Sequence, residues 1–101
     1  MTFIKYNKRK IQMQVRASHI LVETEEQANS LLEQIKNGAD FADLAIKNSK
    51  CPSARIGGDL GAFMRGQMVP EFEQAAFDNP VGALVGPVRT QFGYHLIQRT
   101  A

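Results

Sequence analysis

Apolar and polar residues near the start of the chain follow a pattern that predicts a strand. In MQVRASHILV, residues 13–22, apolar side chains occur at both parities, which is typical of a central strand covered on both faces. The next segment, TEEQ at 24–27, is a capping box, so a helix is predicted to begin after Thr24. Gly38 is a typical helix end, and the apolar positions at helical spacing before it are Ala28, Leu31, Leu32 and Ile35.

The middle of the chain predicts short helical pieces followed by one extended segment. Asp40 can cap a second helix that ends near residue 49. Pro52 suits the first position of a single helical turn. Residues 60–64, which follow a pair of glycines, are predicted to be extended.

The last third of the chain predicts one helix and two strands. Pro70 opens a helix whose first turn is acidic and which ends before Asn79. Residues 84–88 contain a glycine and a proline, so they are expected to form an edge or irregular strand, and residues 94–99 form the last strand. This order of elements indicates an α+β fold with a small mixed or antiparallel sheet.

The size and composition indicate one ordinary folded domain. The chain has 101 residues, 44% of them hydrophobic and 22% charged. No apolar run approaches the roughly 20 residues that cross a bilayer. The N-terminal residues lack the apolar stretch of a secretory signal, and one cysteine fits a reducing compartment. We therefore expect a cytoplasmic protein without membrane contact, and we expect a monomer.

Positive charge is concentrated at the N-terminus, although the formal net charge is only +2. The basic residues in this part are Lys5, Lys8, Arg9, Lys10 and Arg16. We interpret residues 1–14 as a basic, partly disordered and solvated arm. Binding of nucleic acid by the arm is the weaker alternative, because the net charge is small.

Three common kinds of site fit the residues poorly. The run GGDLG at 57–61 matches neither the dinucleotide fingerprint nor the P-loop. The two histidines and the cysteine, at positions 19, 95 and 51, have no familiar zinc spacing. A cysteine protease would use these residue types, but the chain is small for one. No metal and no other cofactor is therefore expected.

The two histidines, His19 and His95, each lie in a segment predicted to be an apolar strand. A single histidine in such a place is most often a satisfied core residue. Two of them in central strands could instead hydrogen-bond each other as neutral rings and fix the shape of a site. The residues alone leave both interpretations open.

Three segments of the chain stand in a characteristic order and spacing. They are ASHILV at 17–22, GGDLGAFMRGQMVPEFEQAAF at 57–77 and TQFGYHLIQR at 90–99. Together they resemble the parvulin family of peptidyl-prolyl cis/trans isomerases, and most of all its small single-domain bacterial members. The resemblance covers about residues 15–100. It implies one isomerase domain at 15–101, with a four-stranded antiparallel sheet surrounded by four helices.

The resemblance also implies the catalytic residues. The family's paired histidines fall on His19 and His95, and its active-site cysteine falls on Cys51. Thr90 is the threonine that supports the histidine pair.

A pocket for the substrate proline is implied in the same way. It falls on Leu60, Met68 and Phe72, for which ordinary core packing of Met68 and Phe72 is the alternative. Gln67 is expected near the substrate carbonyl. Phe92, which stands where other members carry a serine, is expected to line the pocket.

The implied activity is isomerisation of X-Pro bonds in unfolded or flexible polypeptides, in folding or in regulation. Because rotation breaks no bond, we expect a non-covalent mechanism that binds the twisted amide best. Cys51 is then expected to act electrostatically or sterically, with nucleophilic attack as the alternative. A peptide-binding chaperone module with little catalysis is the competing interpretation of the whole chain.

Phosphorylation before the proline is not expected to be required. Phosphate-directed parvulins use a long basic loop after the first strand. Here the strand ends near Val22 and the helix is capped at Thr24, which leaves no room for such a loop. The residues at this place are acidic, namely Glu23, Glu25 and Glu26.

Overall fold

The computed structural model describes residues 14–101, which form four strands, three α-helices and one 3-10 helix. In chain order these are β1 (Gln14–Val22), α1 (Glu25–Lys36), α2 (Phe41–Asn48), the 3-10 helix (Pro52–Ile56), β2 (Asp59–Met64), α3 (Pro70–Phe77), β3 (Leu84–Thr90) and β4 (Gly93–Arg99). The predicted basic arm lies outside the described residues except for Gln14. Within 14–101, no helix has both the length and the apolar character needed to cross a membrane.

The four strands form one antiparallel sheet in the order β2-β1-β4-β3. This confirms the α+β prediction and shows that the sheet is antiparallel rather than mixed. β1 and β4, which carry the two histidines, are the central strands, as predicted. β3 is an edge strand, as predicted. Its pairing with β4 is irregular between Val85 and Val88, where Gly86 and Pro87 lie. Three α-helices and the 3-10 helix take the place of the four helices that the resemblance implies.

Capping residues that are recognisable in the sequence determine where the helices begin and end. The Oγ1 atom of Thr24 accepts a hydrogen bond from the Gln27 N–H at 3.1 Å, and Gln27 Oε1 accepts one from the Thr24 N–H at 3.1 Å. The predicted capping box is therefore formed. Asp40 caps α2 by accepting from the Asp43 N–H at 3.1 Å. Beyond α1, Gly38 has a φ of 106°, a conformation that favours glycine.

Apolar residues cover both faces of the sheet. On one face, Ile20 and Val22 of β1 belong to a buried cluster with residues of α1 and α2. On the opposite face, Val15 and Ala17 of β1 belong to a second cluster with residues of β2 and α3. His19 has the parity of Val15 and Ala17, so its side chain lies on the α3 face. The candidate site is on this face.

Candidate active site

A cavity of about 490 Å³ brings the predicted site residues together. Its lining comes from β1, β2, β4, the start of the 3-10 helix with the segment before it, the β2–α3 loop with the start of α3, and the β3–β4 turn. The lining residues are His19, Leu21, Lys50, Cys51, Pro52, Leu60, Gln67, Met68, Val69, Phe72, Phe92 and His95. All predicted catalytic and pocket residues are in this set. Thr90 is not, and it contacts His95 instead.

The two histidines form a buried pair across the central strands. His19 and His95 are 5% and 4% exposed, and their Nδ1 atoms are 3.0 Å apart. Their rings are nearly parallel, with centroids 5.2 Å apart. The β1–β4 register pairs His19 with Ile97, so His95 is its diagonal neighbour on the same face. One proton between the two Nδ1 atoms lets both rings stay neutral.

Thr90 extends the histidine pair into a chain of hydrogen bonds. Its Oγ1 atom accepts from the Phe92 N–H at 3.1 Å and lies 2.7 Å from His95 Nε2. The Thr90 hydroxyl can donate to His95 Nε2 or accept from it, so two tautomeric arrangements satisfy the chain. In the arrangement in which Thr90 donates, His95 donates from Nδ1 to His19, and His19 carries its own proton on Nε2. This Nε2 atom is buried and has no hydrogen-bond partner among residues 14–101.

Burial keeps the histidine pair uncharged. The pKa of His19 is lowered from 6.5 to about 4, first by desolvation and then by the neighbouring His95. Desolvation also lowers the pKa of His95. At neutral pH the pair therefore acts as a hydrogen-bonded, uncharged element of the site.

Phe72 of α3 connects the cavity to the core. It is 2% exposed, and its ring lies edge-on to both histidines, with centroid distances of 5.4 Å to His19 and 5.3 Å to His95. It also contacts the Phe63 ring at 6.0 Å. Met68 packs half-buried against the same cluster. Core packing and cavity lining, which the sequence presents as alternatives, thus occur together in these two residues.

The segment that carries Cys51 is joined to the end of β1 by hydrogen bonds of the backbone and of the Ser49 side chain. Leu21 N–H donates to Ser49 Oγ at 3.0 Å, and the Leu21 carbonyl accepts from the Lys50 N–H at 2.8 Å. Ser49 Oγ also accepts from the Cys51 N–H at 3.4 Å. Cys51 is then the N-cap residue of the 3-10 helix. These bonds hold Cys51 beside the strand of His19.

The glycine run after the 3-10 helix allows the backbone there to lie close to the backbone of β1. Gly58 has a φ of 85°, and its carbonyl accepts from the His19 N–H at 2.9 Å. A Cβ atom at Gly58 would overlap the His19 carbonyl oxygen. The glycine therefore lets the chain turn directly beside the histidine strand.

The β2–α3 loop, which presents Met68, is fastened to α3 by Glu73. Glu73 Oε1 accepts from the Gly66 N–H at 2.6 Å, and Oε2 lies 3.3 Å from Arg65 Nη1. The Arg65 guanidinium lies 4.3 Å above the centre of the Phe77 ring. Inside the loop, Gln67 Oε1 accepts from the Met64 N–H at 2.8 Å. Gln67 lines the cavity as predicted, but its side-chain carbonyl is used within the loop.

Several residues of the site were missed by the sequence analysis. Leu21 shares the parity of His19 in β1, so the strand pattern contained a signal for it. Lys50 and Pro52 flank Cys51 in the chain. Ser49 and Glu73 carry no local signal, because their roles depend on bonds to distant segments. Among the described residues, no group of three or more His, Cys, Asp or Glu could hold a metal ion.

Comparison with known sequences places this site in a family context. A model of the PPIC-type PPIase domain matches residues 1–101. The foldase protein PrsA of Exiguobacterium sibiricum is 47% identical over 98 residues, which are 95% of this chain and 32% of the relative. The foldase protein PrsA of Bacillus subtilis is 46% identical over 87 residues, 85% of this chain and 30% of the relative. The chain spans about a third of the length of these curated relatives.

Solved structures with the same fold include proteins that differ greatly in size. The crystal structure of PrsA from Bacillus subtilis has a TM-score of 0.86 at 42% identity, over 99% of this chain and 40% of that chain. The solution structure of NmPin, the parvulin of Nitrosopumilus maritimus, has a TM-score of 0.81 at 40% identity. That alignment covers 89% of this chain and 98% of NmPin. The predicted parvulin fold is thereby confirmed.

Proposed function

This chain belongs to the family of PPIC-type PPIase domains, and on this basis we propose that it is a peptidyl-prolyl cis/trans isomerase. It accelerates rotation about X-Pro bonds in unfolded or flexible polypeptides, and in this way assists protein folding. The observation that carries the proposal is a single cavity lined by apolar side chains and by a neutral histidine pair. The relatives named foldase support the role in folding.

The reaction requires the protein to bind a twisted amide. Rotation about an X-Pro bond has a barrier of roughly 18–20 kcal/mol, because resonance stabilises the planar amide. In the twisted form the carbonyl oxygen loses negative charge and the nitrogen becomes more basic. A protein that binds this form better than either planar form accelerates the exchange. A dry apolar cavity favours the less polar twisted state.

The lining residues divide into a ring-binding group and a polar group. Leu60, Met68 and Phe72 hold the pyrrolidine ring in a proline slot. The preceding carbonyl then turns past Cys51 and His19. The Nε2–H of His19, which has no partner among the described residues, donates to the prolyl nitrogen and stabilises the twisted amide.

The histidine hydrogen bonds support a non-covalent mechanism. A nucleophilic cysteine needs a base that accepts the thiol proton. Both ring nitrogens of His95 and Nδ1 of His19 are engaged in the hydrogen-bonded chain. We assign to the chain the arrangement in which Thr90 donates to His95, so that Nε2 of His19 carries a proton. Neither histidine therefore offers a free acceptor to Cys51. The Cys51 thiol then acts on the turning carbonyl through its size and polarity.

Met68→Ala tests the proline slot. We expect kcat/KM on a proline tetrapeptide to fall at least about tenfold, or about 1.4 kcal/mol of transition-state stabilisation, because the ring loses one wall. Met64→Ala is the matched control, since Met64 is 40% exposed on β2 and does not line the cavity. Phe72→Ala is less suitable, because truncating a buried phenylalanine costs about 3–5 kcal/mol of stability.

Two results would contradict these assignments. Equal activity of the two methionine variants would show that the proline ring lies elsewhere. A wild-type chain that binds proline peptides without accelerating their exchange would be a peptide-binding module rather than an isomerase.

Two further proposals concern the protein in solution. We propose that it is a monomer, which sedimentation measures, and that it is located in the cytoplasm, which cell fractionation measures. Contact with nucleic acid is not part of the proposed function, and a salt-dependent gel shift would reveal it.

A further inference from the structure

A second cavity, of about 390 Å³, lies between α1 and the end of α2. Val22 at the end of β1 and Leu31 of α1 line it, and both are buried in the apolar cluster on this face of the sheet. Lys50 lines this cavity and the active-site cavity as well. The two cavities are therefore neighbours around the end of β1. We call the second one the α1–α2 groove.

Gln27 offers a fixed hydrogen-bond donor to the α1–α2 groove, which it lines. Its Oε1 atom accepts from the Glu23 N–H and from the Thr24 N–H, at 3.1 Å in both cases. Because only the oxygen of the side-chain amide can accept, the positions of its oxygen and nitrogen are determined. The NH2 group of Gln27 has no hydrogen-bond partner among residues 14–101.

Asn48 offers a fixed acceptor in the same way. Its Nδ2 atom donates to the Leu44 carbonyl at 2.9 Å, and a carbonyl can bond only to the nitrogen of the amide. The Oδ1 atom has no hydrogen-bond partner within residues 14–101. Asn48 lines the α1–α2 groove from the end of α2. The groove thus presents one oriented donor and one oriented acceptor above an apolar floor.

The chemistry of the α1–α2 groove fits a polypeptide backbone. Every peptide unit other than one at proline carries a C=O acceptor and an N–H donor, which complement the two amides. An anion fits poorly. Within the part of the chain that the structure describes, Lys50 is the one cation of the lining, its Nζ lies 2.8 Å from a Glu23 carboxylate oxygen, and Glu26 adds a negative charge.

The distance along β1 indicates which part of a substrate would reach the α1–α2 groove. Asp59, at the start of β2 beside the proline slot, pairs with Ser18. Val22 lies four residues further along β1, or about 13 Å away at 3.3 Å per residue, which an extended peptide covers in about four residues. The carbonyl before the proline turns past Cys51, the neighbour of Lys50. The residues that precede the proline therefore run toward the groove.

From this arrangement we propose that the α1–α2 groove binds the backbone of the substrate about four to six residues before the proline. The inference rests on the proposed function, because both cavities hold the same substrate chain. The substrate passes the Lys50–Glu23 pair, which is exposed to solvent and is displaced at little cost. Contact with the backbone does not select side chains, so it suits a protein that acts on many polypeptides.

The first experiment compares three uncharged peptides with blocked ends. The core peptide is Ala-Leu-Pro-Phe, and Ala-Ser-Ala-Ser-Ala is added before it in the N-extended peptide and after it in the C-extended peptide. For the N-extended peptide we expect a KM about fivefold lower than for the core peptide, because two hydrogen bonds to its backbone add to binding. The kcat should not change, and the C-extended peptide should behave like the core peptide.

Gln27→Glu tests the donor without removing the helix cap. Glutamate at this position of a capping box still accepts from the backbone, but an oxygen replaces the NH2 group that faces the groove. We expect the advantage of the N-extended peptide to fall to about twofold or less, with no loss of thermal stability. Asn29→Asp is the matched control, because it adds the same charge to α1 at an exposed position outside the groove lining. It should keep the fivefold advantage, and an equal loss in both variants would overturn the inference.

Binding of the three peptides, measured by NMR titration, separates this inference from the proposed activity. Tighter binding of the N-extended peptide, with a shift of the Gln27 side-chain NH2 signals, supports the α1–α2 groove even in a chain that shows no turnover. Equal affinities for the N-extended and core peptides overturn it. It is also overturned if the C-extended peptide gains affinity instead, or if Gln27→Glu keeps the wild-type advantage.

Discussion

At the scale of the residue, the buried histidine pair links the stability of the protein to pH. The pKa of His19 is about 4 in the folded protein, against 6.5 for a histidine exposed to water. Between these values the unfolded chain binds a proton at His19 that the folded chain does not. The free energy of unfolding therefore rises with pH over this interval. The stabilisation that depends on a neutral His19 is fully present above pH 6.5 and is lost as the pH falls from 6.5 toward 4.

We expect His19 to account for a loss of about 3 kcal/mol of stability between pH 6.5 and pH 4. Urea denaturation at a series of pH values measures it, with His19→Gln for comparison. The glutamine variant should be less stable at pH 7 and should lose less stability on acidification. Carboxylates that titrate in the same interval are common to both proteins and cancel in the difference. Equal pH slopes in the two proteins would show that the pair is not held neutral by burial.

At the scale of the element, the features that could be predicted from the sequence are those that depend on interactions between neighbouring residues. The capping box at Thr24 and the Asp40 cap involve residues three positions apart, so both helix starts could be found from the sequence. The bond of Ser49 to Leu21 and that of Glu73 to Gly66 join segments that no periodic pattern relates. They depend on tertiary packing, and for this reason they were not predicted.

The link between Glu73 and the β2–α3 loop has a functional consequence that can be measured. Glu73→Ala leaves the Gly66 N–H without its acceptor and releases the loop that presents Met68. We expect KM for a proline peptide to rise severalfold while kcat changes less, because the proline slot loses one ordered wall. The melting temperature should change little, since Arg65 is exposed and surface ion pairs contribute about 0–1 kcal/mol.

Two variants distinguish this positioning role from a general effect on α3. Glu73→Gln keeps an oxygen that can accept from Gly66 and should restore most of the binding. Glu71→Ala removes another acidic residue from the first turn of α3, with the same effect on the helix dipole, and should leave KM unchanged. A similar rise of KM in Glu71→Ala would show that the effect comes from a change in α3 and not from release of the loop.

At the scale of the whole molecule, the site depends on the sheet order β2-β1-β4-β3. This order places His19 next to His95, although 76 residues separate them in the chain. The apolar parities of the strands predicted that both would be central, but they do not determine the register that makes the rings diagonal neighbours. The resemblance to a known family supplied that pairing. The meeting of Leu21, Pro52 and Phe92 at the cavity could not be predicted from the sequence, because these residues come from β1, the 3-10 helix and the β3–β4 turn.

The distribution of charge over the molecule leads to a prediction about phosphorylated substrates. Only Glu23 and Thr24 connect β1 to α1, so the basic loop of phosphate-directed parvulins has no counterpart here. α1 begins with Glu25 and Glu26, and Glu23 is paired with Lys50 at the cavity. A phosphate of about −1.5 to −2 charge before the proline would meet this acidic edge and would find the lysine already paired.

We therefore expect a phosphoserine-proline peptide to be isomerised with a severalfold lower kcat/KM than its serine or leucine counterpart, and the difference should shrink in high salt. A charge-reversal variant, Glu23→Lys, provides the control within the chain. It removes the partner of Lys50 and adds a second cation beside it, and two converging basic side chains favour phosphate. The variant should therefore narrow or reverse the difference between the peptides. A wild-type protein that prefers the phosphopeptide would show that the acidic start of α1 does not control access to the cavity.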